Sequence, residues 1–198
     1  MGDLDEKVTE ALERAAESRL NAVVAALVAL AATFMALSNV KDGNIGQAMA
    51  QAQSQTLDAW NYYQAKSMKQ NLAEATLDEL VALKAVNEDR QTAVALLNTR
   101  IEAARANVAR YEKEKNEIKA QAEGYQQKYD ELNLHDDQFD LSDAAMSVTI
   151  ALLGVTALTR KRWLLGVAGV FLCFALFFGL AGFFGWRVHP NVLMSWLS

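Results

Sequence analysis

Three apolar segments without any charged residue limit what this chain can fold into. They cover residues 22–36, 144–159 and 163–186. The first lengthens to about 20 residues when its apolar neighbours are included, which is enough for a helix to cross a bilayer. Residues 41–140, between the first two segments, are polar and contain no proline, the strongest breaker of helices. The pattern predicts an all-α membrane protein whose long helical region lies outside the bilayer.

Composition narrows the class of protein further. The 198-residue chain contains one proline, Pro190, and one cysteine, Cys173. The single cysteine excludes an internal disulfide framework and most cysteine metal sites. The formal net charge of -5 is spread over helices of mixed sign, so nucleic acid is not an expected partner.

The order of polar and apolar stretches predicts the domain organisation. The leader before the first apolar segment is long and acidic, which argues against a cleaved signal peptide, the rival interpretation. Trp163 and Trp186 lie about 23 residues apart, as two interfacial anchors on one spanning helix do. We expect an N-terminal amphipathic helix (1–19), three transmembrane helices (20–40, 141–159 and 163–186), an extramembrane region (41–140) and an interfacial C-terminal tail (187–198).

The basic residues between the last two apolar segments indicate the orientation. Arg160, Lys161 and Arg162 form a short cationic loop, and such loops tend to stay on the cytoplasmic side. With three spans, the N terminus is then also cytoplasmic, whereas region 41–140 and the C terminus lie outside the cytoplasm. The opposite orientation is the alternative, because long loops weaken this rule.

The second half of the extramembrane region carries the most specific pattern in the chain. Apolar residues recur there at alternating spacings of four and three, which predicts a helix that supercoils against a partner helix. Only Lys115 interrupts this coiled-coil seam with a charge. The seam consists of Leu97, Ile101, Ala104, Val108, Tyr111, Ile118, Ala122, Tyr125, Tyr129 and Leu132.

The extramembrane region must return to the membrane surface that it leaves, so we expect an antiparallel helical hairpin with its turn near residues 87–90. A break after Thr76, where a capping box begins, is the alternative. Residues 42–46 and 135–140 are expected to form joints that interrupt the helices beside the membrane. The first arm carries a looser apolar stripe of Leu57, Trp60, Gln64, Met68, Leu72 and Ala75, followed by Leu80, Leu83 and Val86.

Small residues on the transmembrane helices predict close packing within and between chains. They are Ala22, Ala25, Ala29, Ala32 and Ala36 in the first span, and Ala175, Gly179 and Gly182 in the third. Trp60 and Tyr63 belong to an aromatic group that cannot fit entirely into one narrow seam. We expect them to contact a neighbouring helix or subunit; partial exposure is the alternative. These features favour a homo-oligomer.

The sequence lacks the motifs of catalysis. It has no Gly-rich phosphate loop, no paired-histidine zinc motif and no nucleophile in a recognisable setting, so neither enzymatic activity nor a cofactor is expected. The Asp-rich segment 135–140 invites a metal interpretation. Helix capping and the helix dipole explain those aspartates without a metal, so we expect no metal site.

Four motifs recur together in one known family. They are Trp60–Ser67 (WNYYQAKS), Arg110–Glu112, His135–Leu141 and Thr159–Leu164. As a set they resemble a family of bacterial membrane proteins described as domain of unknown function 4337. The resemblance covers most of the chain beyond residue 20. It implies the same three-span layout in a bacterial membrane, and it implies no activity and no catalytic residue.

The combined prediction is a self-assembling, membrane-anchored helical scaffold or binding platform of the bacterial inner membrane. Its expected partners are membrane lipids and copies of itself. The alternative is an oligomeric channel or a transport accessory protein, in which Ser147, Thr149 and Thr156 would line a pore. The absence of ionisable residues from the three apolar segments argues against proton-coupled transport.

Overall fold

The computed structural model describes residues 2–188, and they form three helices. Helix α1 spans Gly2–Val86, α2 spans Gln91–Thr159 and α3 spans Arg162–Phe184. Within that range no residue forms a strand, and the expected all-α class is confirmed. Each helix contains a stretch that is long and apolar enough to cross a membrane. The part of the predicted C-terminal tail beyond residue 188 lies outside the described residues.

Short connections join the three helices. After α1, the chain turns through residues 87–90, where the Asn87 amide donates to the Lys84 carbonyl at 3.1 Å and the Arg90 amide donates to the Asn87 carbonyl at 3.0 Å. Arg160 and Lys161 alone separate α2 from α3. Arg160 has a φ of 58°, the left-handed conformation that commonly ends a helix. Its amide still donates to the Thr156 carbonyl at 2.8 Å.

The expected joints beside the membrane are wrong, because residues 42–46 and 135–140 are helical. Glycine lowers helix stability by about 1 kcal/mol relative to alanine, and Gly43 and Gly46 touch nothing beyond their own helix. Ile45 between them is buried, and burial of its side chain offsets that cost. The alternative break after Thr76 is also wrong. The Thr76 hydroxyl donates to the Leu72 carbonyl at 2.8 Å within an unbroken helix.

The chain divides into two compact units. Unit 1 comprises Met1–Ala48 and Glu131–Ser198, and unit 2 comprises Met49–Asp130. The expected N-terminal helix, residues 1–19, is the beginning of α1 rather than a separate element.

Unit 1 is held together by two apolar clusters, and each cluster takes residues from all three helices. The residues of both clusters are aliphatic or aromatic and carry no charge. One cluster has Ala31, Ala145, Met146 and Ala175 at its centre, and the other has Val24, Leu153 and Ala168.

Two glycines let α3 approach its neighbours closely. A β-carbon built on Gly179 would lie 2.6 Å from Cε1 of Phe34 and 2.7 Å from Oγ of Ser142. One built on Gly182 would lie 2.7 Å from the ring of Phe139. Both distances are shorter than a carbon contact permits, so these two positions accept no larger residue without a shift of the helices.

We expect Gly179→Ala to destabilise unit 1, because the added methyl group forces apart side chains from two other helices. Overpacking of this kind costs about 1–3 kcal/mol. The measurement is the thermal unfolding midpoint of the purified protein in detergent. Gly166→Ala is the matched control, since nothing lies within 4 Å of a β-carbon there; equal midpoints for the two variants would contradict the packing described.

Candidate functional site

The α2 side of unit 2 buries the seam that the sequence predicts. Ile101 and Ile118 are 4% and 6% exposed, and Ala104 and Ala122 are also buried. The remaining seam residues that lie in unit 2, Lys115 included, are half-buried, and so is Leu132 in unit 1. A single side of α2 therefore faces a partner helix at every turn of this stretch, which is the burial expected of a coiled-coil helix.

The predicted stripe on the α1 side is wrong. Leu57, Met68 and Leu72 are 60%, 73% and 70% exposed. Most of the covered positions also follow alternating spacings of four and three, but they run along a neighbouring line of the helix. They are Met49, Ala52, Thr56, Ala59, Tyr63, Lys66, Gln70, Ala73, Leu77, Leu80 and Lys84, all buried or half-buried.

The polarity of this buried line explains the error. Thr56, Lys66 and Gln70 occupy positions that are normally apolar in a coiled coil. The stripe beside the covered line is more apolar, so hydropathy favours that stripe. Both lines have the spacing of four and three, so spacing alone does not distinguish them. The consequence is an uncovered apolar stripe on α1 of unit 2, formed by Leu57, Met68, Leu72, Leu83 and Val86.

Lys66 is the most unusual member of the buried line. Its side chain is 13% exposed and donates to the carboxylate of Glu114 on α2. The ammonium lies 5.2 Å from the ring centre of Tyr62 and 5.7 Å from that of Tyr111, within reach of cation–π attraction. The hydrogen bond with Lys66 lowers the pKa of the Glu114 carboxyl, and the same bond raises the pKa of the Lys66 ammonium. This charged pair ties α1 to α2.

Trp60 and Tyr63 lie against each other. Their ring centres are 5.5 Å apart in an edge-to-face arrangement, and both side chains are half-buried. Tyr62 is 53% exposed. The expectation that Trp60 and Tyr63 contact another subunit stays a prediction.

The predicted alanine stripe of the first span lies on the uncovered side of α1 in unit 1. Val24, Ala31 and Ser38 face the helical neighbours and are buried. The five stripe alanines, Ala22, Ala25, Ala29, Ala32 and Ala36, are all exposed. We call this surface the alanine face.

The small residues of α3 are used inside the chain instead. Ala175, Gly179 and Gly182 are buried. The Ser142 hydroxyl of α2 donates to the Ala175 carbonyl at 2.8 Å, a cross-helix bond that close backbone approach makes possible.

Buried polar side chains follow one side of α2. Gln138 is fully buried, and its amide nitrogen donates to the carbonyls of Trp186 and Val188, both at 2.8 Å. These two hydrogen bonds hold the residues after α3 against α2. Thr149 and Thr156 are also fully buried and donate to carbonyls of their own helix at 2.9 and 2.7 Å. Neither hydroxyl lies on an outer surface of unit 1.

Aspartates from α1 and α2 lie close together in unit 1. The pKa of Asp136 is raised to about 6 by burial first, and then by the charges of Asp42 and Asp140 and a hydrogen bond with Asp42. Mutual repulsion of carboxylates in a partly desolvated place has this effect. Among the side chains that the structure describes, His, Cys, Asp and Glu do not form a group of three or more that could hold a metal ion.

The raised pKa of Asp136 makes the folded state bind a proton that the unfolded chain has lost. Stability therefore falls as pH rises from about 4 towards about 6, between the ordinary value of 3.8 and the folded value. We expect Asp136→Asn to raise the unfolding midpoint at pH 7 and to flatten its pH dependence over this range. Asp78→Asn, at an exposed site in unit 2, is the control. A midpoint difference from the native protein that does not change with pH would contradict this account.

One family of proteins matches this chain. Its description is Domain of unknown function (DUF4337), and the match covers residues 20–185. That range includes all four motifs on which the resemblance was based. Neither the curated proteins nor the solved structures contain a match. With most of its length matched, the chain belongs to the family described as Domain of unknown function (DUF4337).

Proposed function

We propose that this protein is a membrane-anchored helical scaffold or binding platform that assembles with copies of itself and has no enzymatic activity. The observation that carries the proposal is the uncovered apolar stripe on α1 of unit 2. Large aliphatic side chains that are exposed along one side of a helix often mark contacts with other proteins.

Contacts within unit 2 support an antiparallel coiled-coil hairpin as the body of the platform. Lys66 of α1 pairs with Glu114 of α2. Ala73 and Ala104 line one groove, nearer to the turn in both helices. A residue of α1 that lies nearer to the turn at residues 87–90 thus lies opposite a residue of α2 that is also nearer to this turn. This is the arrangement of an antiparallel pair.

Engineered disulfides test this hairpin. In a Cys173→Ser background, Ala73→Cys combined with Ala104→Cys should crosslink within one chain, because both residues line the groove between the arms. Ala75→Cys combined with Ala104→Cys is the control, since Ala75 lies on the exposed side of the same arm. The yield is read as a mobility shift of the monomer on a non-reducing gel. Comparable yields for the two pairs would refute the hairpin.

The occupant proposed for the uncovered stripe is the same stripe on a second copy. The stripe extends over about 44 Å between Leu57 and Val86 at the α-helical rise, with a helix width of about 10 Å. This offers about half of the ~800 Å² that each partner of a stable complex contributes. Anchorage of both copies in one membrane supplies the remaining stabilisation by raising their effective concentration.

Anchorage also favours a parallel arrangement of the two stripes. Copies that leave the membrane on the same side present each residue at the same height, so Leu72 meets Leu72 and Met68 meets Met68. In unit 1 the alanine face is a second surface for self-association, because its small side chains let two helix backbones approach closely in lipid.

The proposed location is the bacterial inner membrane, with the loop of Arg160, Lys161 and Arg162 in the cytoplasm. The three cations support this orientation through their preference for the cytoplasmic side. The hairpin of unit 2 then extends from the outer side of that membrane.

Charge placed on the stripe should weaken assembly. We expect Leu72→Glu to lower the mass of the detergent-solubilised complex by at least half, because two carboxylates would face each other in a desolvated contact. The mass is measured by light scattering or sedimentation. Leu96→Glu introduces the same change at a position on α2 that is 61% exposed and away from the stripe, and should leave the mass unchanged. A complex of native mass in Leu72→Glu would remove the stripe as the interface.

A further inference from the structure

We propose that a groove between the start of α3 and the neighbouring part of α1 binds the headgroup and upper acyl chain of an anionic phospholipid. The site lies entirely in unit 1 and has a volume of about 530 Å³. It rests on the proposed membrane anchorage and adds a lipid class to it. Pockets of a few hundred Å³ are the size that ligands of this kind occupy.

The lining of the groove is amphiphilic in the manner of a phospholipid. Its floor consists of aliphatic side chains, and among the described side chains that line it the charged ones are Arg19 from α1 and Arg162 from α3. The floor residues are Leu12, Ala15, Ala16, Leu20, Val23 and Leu165. Apolar residues beneath a pair of cations match an acyl chain beneath a phosphate.

Both arginines can reach a phosphate. Arg19 and Arg162 have exposed side chains, and no ion pair between side chains that the structure describes includes either of them. Guanidinium groups bind phosphate oxygens through two parallel hydrogen bonds, so two of them specify an anion strongly. Arg162 is also the first residue of α3, and Lys161 provides no side-chain cap for the amides there. Uncapped amides at a helix start favour an anion further.

A smaller groove extends this cationic rim. It shares Leu20 and Arg162 with the first and adds Arg160 and Glu17. Arg160 donates to the Glu17 carboxylate at 2.5 Å, so Glu17 currently neutralises one cation of the rim. Removing that carboxylate should therefore strengthen binding of an anion.

Phospholipid is favoured over a free anion or a peptide by the position of the groove. It is formed where two proposed spans meet the cationic loop, and basic pockets between spanning helices on the cytoplasmic side bind anionic headgroups. The adjoining residues of both helices are apolar and face lipid in the proposed anchorage. A free phosphate would leave the aliphatic floor exposed to water.

The test compares lipids that differ only in headgroup. Full-length protein in detergent is titrated with phosphatidylglycerol, with phosphatidylcholine of the same acyl chains, and with water-soluble glycerol phosphate. Binding is followed by native mass spectrometry. We expect selective binding of phosphatidylglycerol and no measurable binding of glycerol phosphate. Each arginine near an anionic lipid contributes about 1 kcal/mol, or about fivefold in affinity.

The variants separate this site from nonspecific attraction. Arg19→Gln with Arg162→Gln should weaken phosphatidylglycerol binding roughly thirtyfold, the product of two such factors. Arg90→Gln with Arg100→Gln removes the same charge from unit 2 and should leave binding unchanged. Glu17→Gln should tighten binding a few fold. All five positions have exposed side chains or lie on the groove rim, so these variants retain the fold.

Three results would overturn the site: equal affinity for the two lipids, native affinity in the Arg19/Arg162 variant, or glycerol phosphate binding as tight as phosphatidylglycerol. Alkaline extraction of membranes that contain the protein distinguishes this failure from failure of the proposed function. An extractable protein contradicts the anchorage itself. A protein that resists extraction but shows no headgroup selectivity contradicts the lipid site alone.

Discussion

The alternating four-and-three spacing of covered side chains along α1 and α2 is the constraint on which the rest of this structure depends. Intrinsic helix propensity alone cannot stabilise a helix as long as α1, because helical stability in proteins comes mostly from packing of one face. In unit 2 the line of covered positions on α1 from Met49 to Lys84 follows this spacing, and so do the seam positions on α2. Gly43 and Gly46 are tolerated in unit 1 because Ile45 between them is buried.

The covered line of α1 contains polar residues that pair with other side chains, at positions where aliphatic residues would bury more apolar surface. Lys66 takes the place of an aliphatic residue and is compensated by Glu114 and by two tyrosine rings. A buried charge whose partner is removed costs far more than the intact pair contributes, so such pairs fix which residues face each other more than they add stability. The large aliphatic residues released from this line form the uncovered stripe. The pairing of α1 with α2 and the proposed self-association thus depend on the same choice of residues.

The sequence predicted those features that depend on one helix at a time. The all-α class and the covered face of α2 follow from apolar periodicity and from the absence of proline, whereas the turn near residues 87–90 follows from the expected return of the chain to one membrane surface. The covered face of α1 could not be chosen on hydropathy, because two neighbouring lines competed and the more polar one is buried. The sequence did not predict the groove or the hydrogen bonds from Gln138 to the residues after α3, because each brings together residues that are distant in sequence. Arg19 and Leu165 in the groove are an example. Nothing in a linear pattern brings these together.

Two uncovered surfaces remain, the alanine face of unit 1 and the stripe of unit 2. In the proposed anchorage the first faces lipid and the second faces water. The alanine face of unit 1 gains little from the hydrophobic effect in lipid, where association depends on close backbone contact. The stripe of unit 2 gains directly from removing Leu72 and its neighbours from water. A chain with only the alanine face would associate weakly. A chain with only the stripe would expose an apolar helix surface without fixing the direction in which two copies associate. In the proposed membrane anchorage each weak contact would raise the effective concentration for the other, and multivalent contacts of this kind favour assemblies of copies over capture of soluble proteins.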